Sequence, residues 1–194
     1  MLMAKKNEFK PDKPRAGLLS KLYLTQKQRK ALLKWLLYSL VLLVLSVLQD
    51  VILCRFRIFG ATTDLVPVGI FLICVLEGMN ESCVFALVAA SLYQFSGTAP
   101  EPYCIALIVF LAVLVTYFRQ SFLQKGFSAA MLCMVIAVFL YELTVFFVSM
   151  FMGLTALGSV FIPCLTGLLS LLTAPLLYPA VKAIGTIGGE TWKE

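Results

Sequence analysis

From Leu36 to Leu48 almost every residue is Leu, Val or Ser. Such a run is too uniformly apolar to be one face of a soluble helix. With its flanks it reaches the roughly 20 residues that cross a bilayer. Runs of the same texture recur, separated by short polar breaks. They predict spans at about Leu32 to Leu53, Leu65 to Leu76, Ser82 to Phe95, Tyr103 to Phe118, Phe127 to Met150 and Val160 to Val181. Long continuous runs fit helices, whereas barrel strands alternate over short segments.

The breaks carry turn and capping chemistry. Thr25-Gln26-Lys27-Gln28 has the capping-box pattern, which starts the first helix near Gln26. Phe59-Gly60 is a turn. Thr62, Thr63 and Asp64 are N-cap residues for the second span, and Pro67 suits its first turn. Gly78, Asn80 and Glu81 form a polar hairpin. Ser96-Gly97, Pro100 and Glu101-Pro102 separate the third and fourth spans. Gly153 to Ser159 is a small-residue loop. Pro163, Pro175 and Pro179 predict a bent or broken sixth helix. The second and third spans are short, and a re-entrant hairpin is their alternative. That arrangement would put Glu77 and Glu81 near the bilayer centre, which disfavours it.

Composition agrees with the pattern. The 194-residue chain is 61% hydrophobic and 13% charged, more apolar surface than a soluble domain of this size can bury. The expected fold is an all-α, six-helix transmembrane bundle over residues 32–184, preceded by a basic tail (1–31) and followed by a short tail (185–194). No small-residue cleavage pattern follows the first span, so it is expected to stay as a signal anchor. Leu18, Leu19, Leu22 and Tyr23 have the spacing of a short helix lying in the headgroup plane.

Charge orients the bundle. Ten of the 16 Lys and Arg lie between Lys5 and Lys34. Directly before a span, such a tail answers the positive-inside rule and anionic headgroups, not nucleic acid. Arg119, Lys125, Lys182 and Lys193 fall on the same side as the tail, against Arg55 and Arg57 on the other. Both termini are therefore expected in the cytoplasm. Asn80-Glu81-Ser82, a glycosylation sequon, falls on the cytoplasmic side and carries no weight.

Few ionised residues sit at membrane depth, and each calls for a partner. Asp50, Arg55, Arg57, Asp64 and Glu142 are expected near the outer end. Asp50 is expected to pair with Arg55 or Arg57, and Glu142 to face the bundle interior or a partner helix. The group is either an ion-pair cluster that fixes packing or a polar pocket or partner dock. Ala86, Ala89 and Ala90 in the third span, with Ala129, Ala130 and Ala137 in the fifth, allow close helix approach.

The six cysteines stand singly in apolar stretches, with no CxxC and no His anywhere. They read as buried small side chains, without a disulfide framework or metal site. The missing His, GxSxG, P-loop, dinucleotide fingerprint and HExxH motifs argue against an enzyme or a cofactor.

Leu48-Gln49, then Gly60, then Asp64-Leu65 opening a helical hairpin resemble the MreD family of rod shape-determining membrane proteins, as do the size and the six spans. Thr63 stands where that family commonly has proline, and Tyr93-Gln94 where an aspartate is frequent. The resemblance implies a non-catalytic part of the cell-elongation machinery. Its partners would be an MreC-like protein, the RodA glycosyltransferase and its penicillin-binding transpeptidase, and indirectly the MreB filament. It also singles out Gly60 and Asp64. A competing reading is the substrate-binding component of an energy-coupling-factor vitamin transporter, whose fold is similar. There Asp50, Arg55, Arg57, Asp64 and Glu142 would be ligand contacts.

Overall fold

In the computed structural model the described residues are 26–55, 60–97, 103–123 and 126–187. They form six α-helices: α1 (Gln26–Val51), α2 (Leu65–Leu76), α3 (Met79–Phe95), α4 (Cys104–Phe122), α5 (Phe127–Phe151) and α6 (Phe161–Ile187). Two 3-10 turns, Leu53–Arg55 and Leu157–Ser159, flank the ends of α1 and α6. No β-strand occurs among the described residues. The basic tail up to Thr25, Arg57, and Lys125 and Lys193 lie outside them.

Four helices (α1 with its following turn, α4, α5 and α6) are long and apolar enough to cross a membrane. The chain is an all-α, multi-pass membrane protein. Leucines and valines cover the outward face of α1, with Leu36, Leu40, Leu43 and Val47 all more than half exposed. That face is solvated by lipid, not water.

The bundle is organised around its shortest helix. All 12 residues of α2 are buried. Its sequence, LVPVGIFLICVL, is apolar on every side, and such a helix is stable only when surrounded. It packs against each of the other five helices. Phe71, Ile70, Leu72 and Ile73 fill the centre, and Phe71 meets Tyr141 of α5 edge to face, with centroids 6.1 Å apart. At Gly69 the packing is tight: a Cβ there would lie 2.7 Å from Leu45 Cδ1 and 3.0 Å from Leu42 Cδ2 of α1. Of the alanines expected to allow close approach, Ala86, Ala89, Ala90, Ala130 and Ala137 are buried and Ala129 is only half-buried.

Three sequence expectations need correction. Asn80 and Glu81 do not belong to a loop: α3 begins at Met79, so the α2–α3 turn is Glu77-Gly78 alone. The sixth helix is not broken. Pro163 sits in its first turn, and Pro175 and Pro179 lie inside a continuous helix. Neighbouring helices and side-chain hydroxyls make this tolerable at membrane depth. Thr173 Oγ1 donates to Ser170 O at 2.6 Å in the turn before Pro175. Lastly, the sixth helix overruns its expected end near Val181 and continues to Ile187, so Gly185 is a buried helical residue, whereas the first helix starts at Gln26 as the capping box predicts.

Candidate functional site: polar clusters at the two ends of the buried helix

A helix shut away from water still has orphan amides at one end and orphan carbonyls at the other. Around α2 these are met by side chains from its neighbours. Gln49 of α1 caps the first turn: its Oε1 accepts from Leu65 N at 2.8 Å and from Val66 N at 3.0 Å. Asp64 occupies the N-cap position but makes no side-chain cap bond. Its own amide donates to Ser170 Oγ of α6 at 2.8 Å. At the other end, Ser82 Oγ of α3 and Thr116 Oγ1 of α4 both donate to Cys74 O, at 2.8 and 3.1 Å. Arg119 Nη2 donates to Glu77 O at 3.4 Å.

The two ends differ in charge. At the carbonyl end, Lys34 of α1 is 4% exposed and Glu77 is 1% exposed, and Lys34 Nζ lies 2.6 Å from Glu77 Oε2. The Tyr38 hydroxyl donates to Glu77 Oε1, also at 2.6 Å. Lys34 further lies 4.0 Å from Glu81 and sits over the rings of Trp35 and Tyr38. Both carboxylate oxygens of Glu77 are therefore engaged, and the cations suit the negative end of the helix dipole.

At the amide end, two acids converge without a cation. Asp64 accepts one long bond, from Gln49 Nε2 at 3.4 Å. Glu142 of α5 is 7% exposed and faces Asp64. Gly167 of α6 makes room for it: a Cβ there would meet Glu142 Cγ at 3.4 Å. Among the described residues no Lys or Arg forms an ion pair with either acid, and no hydrogen bond reaches the Glu142 carboxylate. Tyr93 of α3 is buried against Gln49, Asp64 and Glu142, yet its hydroxyl closes no hydrogen bond of good geometry. Tyr141 lies beside the same acids and donates to Cys104 Sγ at 3.9 Å.

Of the residues singled out by sequence, Asp64 and Glu142 are thus brought together. Gly60 holds the turn before them with φ +85°, a left-handed conformation that favours glycine. Asp50 and Arg55 stand apart. Asp50 is half-buried and Arg55 exposed, and no ion pair joins them. The helix phase explains this: Gln49, not Asp50, continues the buried stripe of Lys34, Tyr38 and Leu45. Arg57 lies outside the described residues.

Sequence reasoning did not place Lys34, Glu77 or Gln49 among the site residues, although Gln49 belongs to the motif that carries the resemblance. A signal was present. The four inward residues of α1 are four, seven and four positions apart, and three of them are the polar or aromatic interruptions of a leucine run. Compared with family models, with curated proteins and with solved structures, the chain matches none.

Proposed function

We propose that this chain is a non-catalytic membrane scaffold of the cell-elongation machinery, of the MreD type. One observation carries the reading. Gln49, Gly60 and Asp64-Leu65, which bear the resemblance, are the residues that enter and cap the buried central helix. A short motif used to seat an internal helix is a motif about architecture, and it leaves the outer faces of α1 and α3 for partner helices. Val84, Leu87, Val88 and Leu92 of α3 are more than half exposed, as is much of α1. In a bilayer such faces associate by close packing and occasional hydrogen bonds.

In this reading all six helices cross the membrane. α2 does so with only about 18 Å of helix, because polar side chains from α1, α3, α4 and α6 extend its ends. The basic tail, Lys34 and Glu77 lie on the cytoplasmic side of a bacterial inner membrane, where the tail meets anionic headgroups, and Gly60 to Asp64 lies on the outer side. An MreC-like protein is the expected direct partner. RodA with its transpeptidase, and MreB indirectly, complete the assembly.

The test is co-purification of the tagged chain from native membranes. An MreC-like protein at near-equal amount supports the scaffold. Its absence, with a water-soluble ligand retained and an energising ATPase pair recovered, supports the transporter component instead. The incompletely partnered Asp64 and Glu142 are the one feature that favours this second reading.

A further inference from the structure

Among the four long apolar helices, α1 is the least covered: 22% of its most apolar stretch is buried, against 28% to 39% in the other three. Its open side is regular. Leu33, Leu40, Val44, Val47 and Val51 are each at least half exposed, and Cys54 in the following turn is exposed. With the half-buried Leu37, they are spaced alternately four and three residues apart. This is the spacing by which one helix lays a seam along another, here over roughly three heptads. A shallow depression on the same face is lined by Leu43, Val44, Val47, Leu48, Val51 and Ile52. Val44, Val47, Leu48 and Val51 among them have the arrangement that receives one knob from a facing helix.

Lipid could cover an apolar seam, so the seam alone names no partner. Charge does. Asp50 follows Leu36 and Leu43 along one edge of the seam, and Arg55 follows Val41 and Leu48 along the other. Five residues on a helix turn through about 140°, so the two point away from each other across the seam. Neither forms an ion pair among the described residues. Asp50 is half-buried and lies about 24 Å beyond Lys34 along the helix, inside a hydrocarbon layer of about 30 Å. A carboxylate at that depth calls for a cation. In a parallel pair of helices, a residue at one edge of the seam meets the residue five positions later on the opposite helix. Copies inserted with one topology run parallel in one membrane. A two-fold axis then sets Asp50 of each copy against Arg55 of the other.

We propose that the chain forms a parallel homodimer through the lipid face of α1, with the Leu33 to Cys54 seam at its centre and an Asp50–Arg55 ion pair on each side. Val47 of each copy is the knob for the depression on the other. Valine at two of the three positions 37, 44 and 51 favours two strands over a larger bundle. Packing of this kind holds helices together in lipid, at the crossing angle of a left-handed coil. Toward the cytoplasm, beyond Leu33, Arg29 and Lys30 bring like charges together at headgroup level, where anionic lipid offsets them. The exposed face of α3 stays open to other partners. The inference therefore rests on the membrane reading alone, and stands or falls independently of whether an MreC-like protein co-purifies.

The experiment uses the full chain in vesicles of phosphatidylcholine and phosphatidylglycerol. Cys54 meets its counterpart across the seam, so a short bismaleimide should join two copies through it. The product should vanish in Cys54→Ser and persist in Cys83→Ser, which removes another exposed thiol. Asp50→Arg and Arg55→Asp each set like charges across the seam, and each should lower the yield about tenfold. Mixed in one vesicle with tags of different size, the two variants should crosslink to each other at the parent's yield, because each supplies the charge the other lacks. Val47→Trp overfills the depression and should abolish the product, whereas Leu176→Trp, on the exposed side of α6, should not. The thermal midpoint of every variant in dilute micelles should match the parent's. A product that survives Cys54→Ser, single charge variants that crosslink as the parent does, or a mixture no better than its components would overturn the proposal.

Discussion

Lys34 Nζ sits 2.6 Å from Glu77 Oε2, with both side chains almost wholly buried and 43 positions apart in the chain. This pair ties the start of α1 to the end of α2. Removing one partner leaves the other charged in a site without water, which typically costs about 3–5 kcal/mol. Lys34→Met and Glu77→Gln should each destabilise the folded state strongly. The double variant should recover much of the loss, because no isolated charge remains. Unfolding in mixed micelles measures all three, and additive losses would contradict the pairing.

Gln49 and its neighbour Asp50 make a sharper contrast. Gln49→Leu removes the acceptor for the Leu65 and Val66 amides and leaves both buried donors unsatisfied. A loss of about 1–3 kcal/mol per abandoned group is expected. Asp50→Ala, on a half-buried face with no ion pair among the described residues, should change stability by under about 0.5 kcal/mol. The reverse order would restore Asp50 as the key residue of this helix.

The acids at the two ends of α2 should respond oppositely to neutralisation. Glu77→Gln breaks a satisfied pair. Glu142→Gln removes a carboxylate that no hydrogen bond or cation supports among the described residues. In lipid, Glu142→Gln should therefore match or exceed the parent in stability, since a neutral amide is less costly to bury than a charge. A loss as large as that of Glu77→Gln would show a hidden partner for Glu142.

Gly60→Ala should be destabilising by about 1–2 kcal/mol through backbone strain at φ +85°, not through crowding. Among the described residues the nearest side-chain atom to a Cβ there, Ile162 Cδ1, is 4.0 Å away. Gly60→Asn, which tolerates that conformation better, should lose less. Equal losses for the two would point to sterics instead.

The long helices could be read from the sequence because lipid imposes a simple rule: an apolar run of sufficient length. α2 was predicted at Leu65–Leu76 because Asp64 and Gly78 bracket it. What could not be read was direction. In a run of leucines facing lipid on one side and protein on the other, hydrophobicity does not tell the faces apart, so nothing in the run indicated that Gln49 and not Asp50 turns inward. Lys34 was hidden for a related reason, since a lysine at the end of a basic tail looks like one more headgroup contact. Its burial depends on a glutamate brought to it by a turn that sequence cannot orient. Glu142 was easier, because a carboxylate at mid-helix must face the bundle interior or a partner helix, and the structure shows the first.

If α2 threads the bundle from one membrane face to the other, the residues before and after it are reached from opposite sides. The direct measurement is labelling of Thr62→Cys and Asn80→Cys, each in a background with the six native cysteines replaced, by a membrane-impermeant maleimide in right-side-out and inverted vesicles. Thr62→Cys should react only from outside and Asn80→Cys only from the cytoplasmic side. Labelling of both from one side, or an Asn80→Cys unreachable from either, would contradict it.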